Sequence, residues 1–131
     1  MQRLLGALNL GVVDNPLGVG LGLGPVVPLD SGARRVAVYA LVPLEPLVFL
    51  PGVSGAQAEI LVQLVASLPG SRELPMATRR VQLAAVADPS GQRVRIPLEL
   101  ELAPGSYAVA VAVVDLGSGE ASYVSTVLPV E

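Results

Sequence analysis

Glu99 and Glu101 stand two residues apart, and Arg93 and Arg95 continue the same spacing. Period two puts all four side chains on one face of a strand. Two carboxylates so placed have the form of a general acid and base, but that chemistry needs one of them desolvated. Nothing adjacent in the sequence supplies a pocket. The four charges therefore read as a solvated face, with cross-strand ion pairs worth roughly a few tenths of a kcal/mol. Arg34-Arg35 and Arg79-Arg80 are the remaining basic pairs. With no lysine and few aromatics in the chain, they read as charges guarding the ends of apolar strands rather than as an anion site.

Asp30-Ser31-Gly32 and Asp115-Leu116-Gly117-Ser118-Gly119-Glu120 place oxygen ligands close together, but neither follows the D-x-[DN]-x-[DN]-G order of a calcium loop. Both are hairpin chemistry, and Asp115 is expected to cap its own turn through an Asx bond. The chain has no histidine and no cysteine. No serine therefore has an imidazole to activate it, and the common soft metal ligands are missing. The sequence predicts no enzyme, no cofactor and no metal.

Composition narrows the partners. The net charge is −3, which argues against nucleic acid. Apolar residues make up 52% and charged residues 15%, against a usual charged share of about 25%. Glycine, proline, arginine or glutamate interrupts every apolar run short of the roughly 18 residues that a membrane helix needs. The expectation is a soluble chain with much apolar surface, covered by a protein partner: a neighbouring domain, another chain or a second copy of itself.

The elements that position these residues follow from periodicity. Val94, Ile96, Leu98, Leu100 and Leu102 alternate with polar residues and proline, which predicts a half-buried antiparallel strand. Ala103-Pro104-Gly105-Ser106 is a turn, and Tyr107 to Val114 is a second strand, apolar on both faces. Pro104, Gly105 and Tyr107 at the mouth of that strand have the order of a tyrosine corner, in which the phenol bonds back to the backbone and pins a crossing between sheets. Further strands are expected over 33–42, 57–67, 76–86 and 121–130, with a short one over 47–50. Phe49 is expected to plug the core. Asp88-Pro89-Ser90-Gly91 marks a strong turn.

Leu17 to Gly24 alternates Leu17, Val19, Leu21 and Leu23 with four glycines. Its simplest reading is an edge strand with a bulge, followed by a loop over 25–32. The functional reading makes Leu17, Gly18, Val19, Gly20, Leu21 and Gly22 a surface that another sheet can approach closely. The dinucleotide spacing G-x-G-x-x-G fails, because the third glycine would fall at Leu23 or Pro25. Residues 1–16 read as an N-terminal arm, either a short helix with Leu4, Leu5 and Leu8 on one side or an added strand. They carry no A-x-A site and no clear signal peptide. Residues 17–131 read as one domain of seven or eight strands, an all-β Greek-key sandwich of the immunoglobulin or fibronectin type III class.

The order of these segments resembles a known family. Asn15-Pro16-Leu17-Gly18-Val19, Val42-Pro43-Leu44, Phe49-Leu50-Pro51, Ile96-Pro97-Leu98, Pro104-Gly105-x-Tyr107 and Val113-x-Asp115-x-x-Ser118-Gly119-Glu120-x-Ser122-Tyr123-Val124-Ser125 carry the likeness. Together they look like the C-terminal β-rich region of bacterial VWFA-related proteins, over residues 12–131. The resemblance implies export, to the periplasm, the cell surface or the medium, and an upstream von Willebrand factor A-like domain. The D-x-S-x-S metal motif of that family belongs to the upstream domain and has no counterpart in this sequence. Residues 68–86 are more apolar than the family pattern. The function expected is a non-catalytic structural or protein-interaction module. Its rival is a subunit that self-assembles by strand addition through the arm and the glycine-faced strand.

Overall fold

The computed structural model describes residues 14–53 and 55–131. Among them are seven strands: β1 (Gly20–Pro28), β2 (Arg34–Pro43), β3 (Gln57–Ser67), β4 (Met76–Ala84), β5 (Arg93–Leu102), β6 (Gly105–Asp115) and β7 (Ala121–Val130). They form two antiparallel sheets, β1-β2-β5 and β4-β3-β6-β7. The architecture is an all-β sandwich.

Alternation builds the core. Val36, Val38, Ala40 and Val42 of β2 and Ile96, Leu98, Leu100 and Leu102 of β5 line one inner face. Ala58, Ile60, Val62, Leu64 and Ala66 of β3 and Tyr107, Val109, Val111 and Val113 of β6 line the other. Each is buried, and each stands two residues from the next, as a pleated strand requires. Leu128 and Val130 of β7 complete the layer.

β5 and β6 are joined by only Ala103 and Pro104, yet they do not pair. β5 lies beside β2, and β6 lies between β3 and β7. The two-residue link is therefore a crossing between sheets and not a hairpin. The Tyr107 hydroxyl donates to the Ala103 carbonyl at 2.8 Å, closing the crossing on itself.

Four expectations are corrected. β1 begins at Gly20 and runs to Pro28, through the stretch expected to be a loop. Its register against β2 shifts between Leu23 and Val26, and Pro25 sits in that bulge, at an edge where its missing N–H breaks no ladder. Residues 47–50 form no strand; only Leu50 bridges, to Gln57. The donors of this segment are spent elsewhere: Leu47 N bonds back to Leu44 O in a turn, and Val48 N bonds to the Asp115 carboxylate. Phe49 is half-buried against the core, and Leu44 and Leu47 are the buried plugs of this segment. β4 ends at Ala84, not at Val86.

Candidate interaction surfaces

The charged residues that read as a solvated face lie on outer faces. Arg35 and Glu99 come within 3.7 Å, with both side chains at least half exposed. Glu101 pairs in register with Arg35, and Arg93 with Pro43, along the same rim. At that exposure such pairs contribute little. Arg80 and Glu59 form a closer pair at 3.0 Å on the other sheet. Arg79 leaves its own sheet: its guanidinium donates to the Pro97 carbonyl of β5 at 3.1 Å, drawing the β4 and β5 edges together. Among the described residues, no three acidic side chains converge to hold an ion. No helix among them is long and apolar enough to cross a membrane.

The glycine-faced stretch divides. Leu17 and Val19 are core residues, at 3% and 5% exposure, and so correct the expectation of a contact surface at those two positions. The Leu17 amide donates to the buried Ser122 hydroxyl, and Asn15 clamps Val19 through two bonds, from Val19 N to its Oδ1 and from its Nδ2 to Val19 O. Gly18, at φ +72°, turns the chain between them. Gly20, Leu21 and Gly22 lie half-buried on the β1 edge strand.

Tyr39 and Leu41 of β2 fill the space the glycines leave. A Cβ at Gly22 would meet the Tyr39 ring at 3.7 Å, and one at Gly24 would meet it at 2.8 Å. The Arg95 guanidinium lies over the same ring, 4.7 Å from its centroid. The stripe thus seats an aromatic side chain of its own sheet. Beyond it, Leu23, Val26 and Val27 are exposed, and no charged residue occurs from Leu17 to Leu29.

The turn after β6 is built on Asp115, which is fully buried. Its carboxylate accepts from Gly117 N at 3.1 Å, from the Ser118 hydroxyl at 3.0 Å and from Val48 N at 2.9 Å. The first is the Asx geometry of a capped turn. The last ties the turn to the segment between β2 and β3. Pro104 is exposed beyond the other end of β6, and a Cβ on Gly105 would meet Leu68 at 2.8 Å.

Holding those two segments together creates a surface that periodicity did not reveal. Val48, Leu50 and Leu116 line an open cleft of about 290 Å³ with Pro51, Gln57 and Glu59. Val48, Leu50 and Leu116 are 36–51% exposed. The available signal was composition: aliphatic residues in a proline-broken segment have no strand face to be buried on.

No family model matches the chain, and no curated protein matches it.

Proposed function

We propose that this chain is a non-catalytic, immunoglobulin-like sandwich of the fibronectin type III class, serving as a structural or protein-interaction module of an exported bacterial protein. The exposed aliphatic cluster of Val48, Leu50 and Leu116 carries the reading. Apolar side chains held in place by a buried carboxylate and left open to solvent are what an interface core offers before its partner arrives. Seven strands, with crossings between the sheets after β2, β4 and β5, support the class, as does the Tyr107 bond across the last crossing. The segment order that resembles VWFA-related proteins supports export and a neighbouring domain as partner.

A photoreactive residue at Leu50 or Leu116, compared with one at Glu101, tests the reading in the producing cell. Adducts of one defined mass at Leu50 and Leu116, and none at Glu101, are expected. Equal labelling at all three would overturn it, as would turnover of an ester, peptide or glycoside that a single substitution abolishes.

The second reading is a self-assembling subunit. The uncharged β1 edge with its exposed Leu23, Val26 and Val27 favours strand addition there. The bulge, Pro25 and Pro28 confine the free run to its first half. The arm expected to assist, residues 1–13, lies outside the described residues. Light scattering separates the two readings: a mass that stays monomeric as concentration rises rejects assembly.

A further inference from the structure

The sandwich has a second apolar cluster on the wrong side. Val65 of β3 and Ala110 and Ala112 of β6 form a cluster separate from the main core. Alternation sets them outward: Leu64 and Ala66 flank Val65, Val109, Val111 and Val113 flank the alanines, and all of those flanking residues belong to the inner layer. Yet Val65 and Ala110 are 0% exposed and Ala112 is 1% exposed. The other sheet shows what an uncovered outer face looks like. Ala37, Tyr39 and Leu41, outward on its central strand β2, are only half-buried. Among the described residues, the partly buried hydrophobics packed on the second cluster are Ala108 and Tyr123, both of the same sheet. Neighbours within a sheet flank a residue and do not roof it.

We infer that the outer face formed by Val65, Ala110 and Ala112 is a docking surface for residues 1–13 of the same chain. Continuity points to this occupant. Asp14, the first described residue, exchanges two backbone bonds with Tyr123, at 3.1 and 2.7 Å, and Tyr123 packs on the cluster itself. The chain therefore arrives at the rim of the patch. The segment is suited to it: Leu4, Leu5, Leu8, Leu10, Val12 and Val13 stand against one charged residue, Arg3. Reach is not limiting. From β7 to β3 is two strand spacings, about 10 Å, and 13 residues span about 20 Å even at a helical rise. Covalent attachment gives the segment an effective concentration that a second copy in dilute solution does not reach. The segment then serves the domain's own sheet, and the β1 edge and the Leu50 cluster are left as the surfaces open to partners.

The chain has no cysteine, so a nitroxide on Leu5→Cys or, separately, Leu8→Cys reports from one place in the intact protein. The amide signals of Val65, Ala110 and Ala112 are expected to be lost, while those of Ala37 and Leu41 keep full intensity. Spin-labelled chain without isotope, mixed with isotope-labelled chain without spin label, is expected to leave all five signals intact. Loss of the three signals in the mixture would overturn the inference in favour of a second copy. Full intensity from both labelled positions in the single chain would overturn it outright. Neither failure bears on the Leu50 cluster.

Discussion

The carboxylate of Asp115 accepts the backbone N–H of Val48 at 2.9 Å, across 67 residues of sequence. The same group holds Gly117 and Ser118, so one buried side chain fixes both the turn after β6 and the crossing segment between β2 and β3. The exposed aliphatic residues at this end are presented on a frame and not on a loose loop. Asp115→Ala leaves three donors without their acceptor, each in a partly buried setting. We expect a loss of about 2–4 kcal/mol in a denaturant titration. Asp115→Asn keeps one carbonyl oxygen and should lose less. Equal midpoints for Ala and wild type would remove Asp115 from this role.

Tyr107 acts at the opposite end of β6. Its ring is buried in the core and its hydroxyl donates to Ala103 O. Tyr107→Phe keeps the ring and removes that one bond. The expected cost is about 1–2 kcal/mol, and a wild-type midpoint would show that the crossing needs no such latch.

The glycine stripe predicts opposite signs at two positions. A Cβ at Gly20 has its nearest neighbour at 3.6 Å, ordinary contact with Leu41, and the backbone there needs no left-handed φ. Gly20→Ala should leave stability unchanged or raise it by about 0.4–1 kcal/mol, because it narrows the unfolded ensemble. A Cβ at Gly24 would fall 2.8 Å from both Ala37 Cβ and the Tyr39 ring. Gly24→Ala should cost about 1–3 kcal/mol by overpacking. Thermal midpoints of the two variants test whether the glycines seat Tyr39 or serve an external partner; equal effects would contradict the first.

The charged rim should be nearly silent. Arg35 and Glu99 are 3.7 Å apart and half exposed or more, so Glu99→Gln and Arg35→Ala should each change stability by less than about 0.5 kcal/mol, at low and high salt alike. A larger, salt-sensitive change would show that this face carries more than solvated ion pairs.

The legible parts of the fold are those where alternation is unbroken. β3 and β7 begin and end where periodicity puts them, and β5 departs by a single residue. β1 was harder, because Pro25 and Pro28 read as terminators. On an edge strand the missing N–H faces no ladder, so the strand runs through both. Leu17 and Val19 keep the apolar rhythm of β1 before it pairs, which made core residues look like part of a surface. The Asx turn of Asp115 is local and could be read. Its bond to Val48 joins distant segments and could not, so the aliphatic cluster that the bond presents was invisible too. Tyr39 over the glycines is likewise a cross-strand contact, set by a register that one strand alone does not contain.

Every surface described above depends on β6 leaving β5 at the two-residue link and entering the opposite sheet. Cross-strand nuclear Overhauser contacts test this directly. Contacts are expected from Val109 to Ala66 on one side and to Thr126 on the other, and from Leu100 to Val36. A ladder of backbone contacts between β5 and β6, the hairpin that so short a link would otherwise make, would contradict it.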